Sequence, residues 1–145
     1  IPDGAYDTAM ATEVLEHVPD PAAFLGEVHR VLVPGGIFFF TVPFLWNLHE
    51  VPHDEYRYTP FSLQRHLEEA GFSRVTIQAQ GGWHASLAQM LGLWVRRAPM
   101  HPRVRSILSR LMMPLVRFLL AKDKKPEPPF REGDMITGLY GWATA

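Results

Sequence analysis

The spacing of apolar residues changes several times along this chain, and each change predicts an element. Asp7 to Ala11 (DTAMA) is a short apolar run after the turn residues Pro2-Asp3-Gly4. It predicts a buried strand, although alanine and methionine are weak strand formers. From Asp20-Pro21 the period lengthens. Phe24, Leu25, Val28, Val31 and Leu32 fall on one helical stripe, with Asp20 as N-cap and Pro21 at the first helical position. Pro34-Gly35-Gly36 is expected to end that helix. Ile37 to Val42 (IFFFTV) is continuously apolar, as expected of a strand covered on both faces. Strand, helix and strand make one right-handed βαβ unit. In open α/β sheets ligands bind beyond the carboxyl ends of the strands, so Thr12, Glu13, Glu16 and His17 stand where chemistry is expected.

Pro43 to Thr59 (PFLWNLHEVPHDEYRYT) has no regular period. It follows the carboxyl end of the second strand, and its aromatic content argues against disorder. Thr59-Pro60 opens a second helix with Leu63, Leu67 and Ala70 on one face, and Gly71 stops it. Val75, Ile77 and Ala79 alternate along Phe72 to Gln80, a third strand. Trp83 to Ala98 predicts a helix with Leu87, Met90, Leu91 and Trp94 inward. Arg103 to Lys122 predicts another, kinked or split near Pro114. A proline-rich polar loop, Lys122 to Asp134, leads to a last strand at Met135 to Ala143, weakened by glycines.

Composition narrows the classes. The formal net charge is −1 over 145 residues, so no general polyanion-binding surface and no nucleic-acid partner is expected. The chain has no cysteine, which removes disulfides, thiolate nucleophiles and cysteine–zinc sites together. No signal peptide and no run of membrane-spanning length is visible, and the expected location is cytoplasmic. The sequence enters its first strand at once, without a starting methionine, and reads as the second half of a longer sheet. An exposed inner edge on that strand would be an aggregation hazard.

The run YDTAMATEVLEHVPDPAAFLGEVHRVLVPGGIFFFTVP resembles the middle of class I S-adenosylmethionine-dependent methyltransferases of the type 11/12 kind. The later HDEYRYTPFSLQRHLEEAGF resembles the same family. The resemblance covers roughly Pro2 to Gln80. It implies an α/β fold: a partial Rossmann-like methyltransferase sheet of the last four strands, the final one antiparallel. A helical insertion at residues 83–122 precedes that final strand, in a single partial domain. The family's glycine-rich loop and its ribose-binding acid are missing. Gly35-Gly36 cannot replace the loop, because it precedes a strand and not a helix amino terminus. The expectation is therefore a carboxyl-terminal half that is inactive alone and does not bind the cofactor by itself.

The resemblance implies S-adenosyl-L-methionine as cofactor, with Thr12, Glu13 and Val14 beside it. It gives His17, Glu16 and His53 as candidate catalytic groups, since a general base helps where the acceptor must lose a proton. His49, Asp54, Tyr56, Arg57 and Trp83 are candidate acceptor contacts. The plain alternative is that Tyr56 and Tyr58 only pack the loop. Glu13, Glu16 and His17 form E-x-x-E-H, which on one helical face can hold a divalent cation such as Mg2+, with His49 or His53 as a further ligand. Some relatives that methylate hydroxyls, such as quinone-biosynthesis and RNA-end methyltransferases, resemble this pattern and use a metal, but the pattern is also common in the family without one. His53-Asp54 also resembles the pair of metal phosphohydrolases, but the surrounding pattern is wrong. Arg96, Arg97, Arg103, Arg105, Arg110 and Arg117 form a basic belt on the late helices. It suits either plain solvation or a phosphate-bearing or lipid-like acceptor; a small-molecule acceptor is the other expectation. The competing function is a non-catalytic α/β module that binds a partner or membrane surface through those helices.

Overall fold

A computed structural model describes all 145 residues. The chain forms two compact units. The first comprises Ile1–Phe44, Leu48–Gln78 and Gly138–Ala145, and the second Leu45–Asn47 and Ala79–Thr137. The elements in order are β1 (Tyr6–Thr12), a 3₁₀ turn (Leu15–His17), α1 (Pro21–Val31), β2 (Leu32–Pro43), α2 (Pro60–Glu69), β3 (Ser73–Gln80), α3 (Trp83–Arg97), α4 (Pro102–Lys122) and β4 (Gly138–Thr144). The sheet order is β1-β2-β4-β3.

β1 and β2 pair in parallel, from Thr8 opposite Ile37 to Thr12 opposite Thr41. Their carboxyl ends therefore finish level, which brings Glu13 and Thr41 together. β4 runs antiparallel to β2, with Phe40 opposite Gly141. The glycine that weakens β4 on propensity has a packing reason. A Cβ at Gly141 would lie 2.0 Å from the Thr76 carbonyl oxygen and 2.8 Å from the Phe40 ring, so only hydrogen fits. Phe38, Phe40 and Val42 from β2, Leu25 from α1, Leu63 and Leu67 from α2, and Leu139 from β4 are buried. They form the core of this unit.

Both helix starts read from the sequence are present. The Asp20 carboxylate accepts from the Ala23 N–H, and Thr59 with Ser62 makes a reciprocal capping box, which satisfies amide groups that have no partner within the helix. Two expectations for the first unit change. α1 ends at Val31 and the chain is already extended at Leu32, so Pro34-Gly35-Gly36 does not end the helix. It bulges from the start of β2, where the register slips between Tyr6 and Thr8. Nor is β1 a buried strand: only Ala11 is buried, while Met10 is 70% exposed. The cause is position, since β1 is the edge of the sheet and pairs on one side only.

In the second unit α3 and α4 pack on each other across a pocket of about 470 Å³. The Asp123 carboxylate, just past α4, accepts from Gly82 N–H at 2.9 Å and Ala85 N–H at 2.8 Å. It caps α3 in place of Gly82, which has no side chain. The face read as inward on α3 is mostly outward. Leu87, Met90 and Trp94 are exposed, and the buried positions are Ala85, Ser86, Ala88 and Val95. The small residues let α3 sit close to its neighbours, so the large ones turn away. Pro114 lies inside one continuous α4 and does not split it. Pro114 is on the exposed side, where water can serve the carbonyl left without its amide partner.

Candidate functional site at the strand ends

The site begins where β1 stops. Glu13 has φ +53°, a left-handed conformation rarely used by side chains other than Gly, Asn and Asp. It is fixed there by its N–H, which donates to the Thr41 carbonyl at 3.0 Å. The Thr41 hydroxyl in turn donates to Glu13 Oε1 at 2.9 Å. The chain then turns through Leu15–His17, burying Leu15 and Glu16 completely.

The loop after β2 closes over this turn. Glu55 and Tyr56 N–H groups both donate to the Glu16 carbonyl, at 2.8 and 3.1 Å. The Tyr58 hydroxyl donates to the Leu15 carbonyl at 3.1 Å and that of Tyr56 to Pro19 at 3.2 Å. Burial raises the Tyr58 phenol pKa, so it remains a donor at any physiological pH. The long connection is thus a built wall. Its own brace is Asp54, whose side chain is 2% exposed. Asp54 accepts from both terminal nitrogens of Arg57, at 2.6 and 2.8 Å, and from the His49 N–H at 3.1 Å. The Arg57 guanidinium holds the Asp54 carboxyl well below the usual range.

His17 and Glu16 form the centre. His17 Nδ1 lies 2.9 Å from the His53 carbonyl oxygen. A carbonyl only accepts, so Nδ1 carries the proton and a neutral His17 presents a bare Nε2. That Nε2 lies 3.7 Å from Glu16 Oε1. Both Glu16 oxygens are buried with no hydrogen-bond partner. Two acceptors facing each other in a desolvated place call for a proton or a cation between them. Burial raises the Glu16 pKa, the Glu13 charge adds to this, and its own N–H, His17 and His49 partly offset it.

A group whose folded pKa is raised contributes most to stability below its unfolded pKa and costs stability as pH rises through the folded value. Glu16→Gln is therefore expected to stabilise the fold at neutral pH by about 1 kcal/mol, a few degrees in melting temperature. The gain should vanish as pH falls toward 4.5. Thermal melts across that range check this. A destabilised Glu16→Gln at neutral pH would mean that the carboxylate is held by favourable charge.

The expected site residues divide. Glu16, His17 and His49 converge: one ligand atom from each lies within 4.8 Å of the others, and the two imidazoles meet edge-on at 4.7 Å. Glu13 turns to Thr41 and stays out of that trio. Thr12 and Val14 flank it on the exposed strand end. Asp54 and Arg57 brace the wall, and the Tyr56 ring meets that of Tyr58 at a tilt, with centroids 5.5 Å apart. The side chain of His53 is exposed, and its observed contribution is the carbonyl that orients His17. Trp83 belongs to the second unit, where its indole N–H donates to the Gly133 carbonyl. Sequence reasoning missed Thr41 and the hydroxyl bond by which Tyr58, considered there only as loop packing, tethers the turn. The available signals were one hydroxyl in the run IFFFTV and a phenol beside a helix cap.

Comparison with known proteins bears on this arrangement. Residues 1–40 match the family model described as a methyltransferase domain. A ubiquinone biosynthesis O-methyltransferase from Paramagnetospirillum magneticum is 51% identical over 37 residues, covering 26% of this chain and 15% of that protein. The protein of the same description from Psychrobacter arcticus is 32% identical over 91 residues, covering 51% and 35%. The matched part thus spans well under half of the curated relatives' length. In structure, a sarcosine dimethylglycine methyltransferase from Galdieria sulphuraria, itself described as putative, superposes with a TM-score of 0.56 at 14% identity, covering 99% of this chain and 54% of that one. Phosphoethanolamine N-methyltransferase 2 of Haemonchus contortus, solved with S-adenosyl-L-methionine, gives 0.54 at 11%, covering 98% and 34%.

Residues 1–40 thus carry the sequence motif of a methyltransferase domain, and the fold is shared with solved S-adenosylmethionine-dependent methyltransferases. It has their parallel strands with one antiparallel strand between them. No helix is long and apolar enough to cross a membrane.

Proposed function

We propose that the chain forms the acceptor side of an S-adenosylmethionine-dependent methyltransferase, as the carboxyl-terminal half of a longer enzyme, and that its acceptor is a small molecule whose nucleophile must lose a proton, such as a hydroxyl. The observation that carries this is His17, with Nδ1 pinned by the His53 carbonyl and a bare Nε2 facing the buried Glu16. The His17 side chain keeps 22% of its surface open, enough for an acceptor to reach it. In this reading Nε2 takes the acceptor's proton and the adjacent carboxylate stabilises the imidazolium that results. The O-methyltransferase relatives favour a hydroxyl acceptor.

The residues present fit one side of the cofactor. Glu13 and Glu16 place two carboxylates at the strand end, one buried and unpartnered, and S-adenosylmethionine is cationic at its sulfonium and ammonium. Thr12, Glu13 and Val14 would line that end. When bound, the cofactor supplies an electrophilic methyl group. The chain's own part is to hold the acceptor in line, exclude water with the Tyr56–Tyr58 wall and accept the proton. Calorimetric titration with S-adenosylhomocysteine tests the assignment: a longer parent protein that contains this chain binds, and the 145-residue chain alone does not.

A second reading has its own observation. The donors of Glu16, His17 and His49 lie close enough to share a cation, and the free carboxylate oxygens would gain the partner they lack. One carboxylate and two imidazoles suit zinc or manganese better than magnesium, which prefers oxygen donors. In that case the His53 carbonyl is the outer group that orients a ligating His17.

A further inference from the structure

We propose that the α3–α4 hairpin docks on the surface of an anionic lipid bilayer. The hairpin is chemically unlike the rest of the chain. Between residues 83 and 122 stand Arg96, Arg97, Arg103, Arg105, Arg110, Arg117 and Lys122, and not one aspartate or glutamate. All 15 acids lie outside it. The near-neutral total therefore conceals a strongly basic segment beside an acidic remainder. No acid within the hairpin can neutralise these cations.

The same segment exposes large apolar side chains in helical register. On α3, Trp83, Leu87, Met90 and Trp94 recur at intervals of four, three and four, and are 64%, 52%, 48% and 50% exposed. On α4, Ile107, Leu111, Leu115 and Phe118 recur at intervals of four, four and three, and are 57%, 63%, 43% and 57% exposed. At 100° per residue these four fall within an arc of about 80°. Arg103, Arg110 and Arg117 repeat every seven residues and form a row along one border of that arc. The opposite side of α4 is the one packed on α3, where Met112 and Val116 line the pocket between the helices.

An apolar stripe bordered by arginines and lacking acids is what a helix needs to lie in a bilayer interface. Aliphatic and indole groups enter the acyl boundary while the guanidinium groups meet lipid phosphates, each adding about 1 kcal/mol near an anionic surface. A nucleic acid would use the arginines but leave Leu111, Leu115 and Ile107 in water. No helix is able to span the membrane, so the contact is with its surface. The pocket between the helices adds a second feature: Leu91, Val95 and Met112 form apolar walls, with Arg96 and Arg105 on its lining. The Arg105 Nε is buried there without a partner, suited to the phosphate of one lipid.

Flotation of the full chain with vesicles tests this, because aggregated protein sinks while bound protein rises. Vesicles of phosphatidylcholine doped with phosphatidylglycerol should carry the chain upward, and vesicles of phosphatidylcholine alone should carry little. Arg103→Gln/Arg110→Gln/Arg117→Gln changes exposed side chains only, and circular dichroism checks that the variant is folded. It should bind roughly a hundredfold more weakly, about fivefold for each charge. Leu111→Ser/Phe118→Ser keeps every charge and should weaken binding roughly tenfold. Equal flotation with both vesicle types, or undiminished binding by the triple variant, overturns the proposal. So does sedimentation velocity showing a stable self-associated form, with tryptophan emission unmoved by vesicles; that outcome would make the face a contact between copies of the chain.

Discussion

His17→Ala, introduced into the parent enzyme, is expected to lower the rate of methyl transfer by about 10²–10⁴-fold while leaving the affinity for S-adenosylhomocysteine nearly unchanged. The reason lies in how this imidazole is held. The His53 carbonyl, 2.9 Å from Nδ1, decides which nitrogen carries the proton. The other nitrogen is left beside a carboxylate that no donor satisfies. A native fold keeps an unpaired buried carboxylate rarely, and burial at that cost is more usual where chemistry uses it. His17→Gln separates base from tether. Its amide can reach the His53 carbonyl and preserve the loop, yet it cannot take a proton. If His17→Gln restores the rate, the residue acts by positioning. If both variants are slow and the acid limb of the pH–rate profile disappears with them, His17 is the base. Unchanged rates in both would remove the proton-transfer role.

Asp54→Ala should be the most destabilising change in the wall, costing about 3 kcal/mol. The side chain is 2% exposed and binds both terminal nitrogens of Arg57 while accepting the His49 N–H. Its removal takes the carboxylate from the guanidinium, which keeps the Tyr56 carbonyl as an acceptor, and takes the side-chain acceptor from the His49 N–H. Arg57 keeps 24% of its side chain open, and water there holds the cost to the lower end for a broken buried pair. The pH dependence runs opposite to that of Glu16. A carboxyl with a depressed folded pKa contributes stability above its unfolded value, 3.8 for aspartate, and loses it as pH falls through the folded one. Melts of the unmodified chain should therefore fall steeply on the acid side, and those of Asp54→Ala less so. A variant as stable as the parent sequence, with the same acid limb, would show that the clamp contributes nothing to the wall.

Much of this arrangement was legible in the sequence because the informative residues act locally. Asp20-Pro21 and Thr59-Pro60 mark helix starts through bonds that span three residues. The run IFFFTV marks the central strand, although one of its faces is only partly covered, with Ile37 46% exposed, and Glu13 to His17 must follow the strand that precedes it. What was not legible depends on neighbours far along the chain. β1 was read as buried from its composition, yet burial of a strand depends on what lies at both edges. The large residues of α3 were read as core because helical spacing does not say which face is covered. Ala85, Ala88 and Val95 win that face by being small enough for close packing. The placement of His49 against Glu16 and His17 needed the loop's closure, which Asp54 and Arg57 enforce. Pro34-Gly35-Gly36 misled for a related reason: a proline and two glycines signal an interruption, but whether it is a helix end or a bulge depends on the partner strand.

The central claim is that the level ends of β1 and β2, closed by the loop from His49 to Tyr58, form one side of a methyl-transfer site. Calorimetric titration of S-adenosylhomocysteine tests it most directly, with the longer parent and the 145-residue chain measured side by side. Saturable binding by the parent, weakened when Glu13 is replaced by alanine and absent from the isolated chain, is the predicted result. No binding by the parent, or binding that is indifferent to Glu13, would contradict the account and leave the strand-end residues without their assigned role.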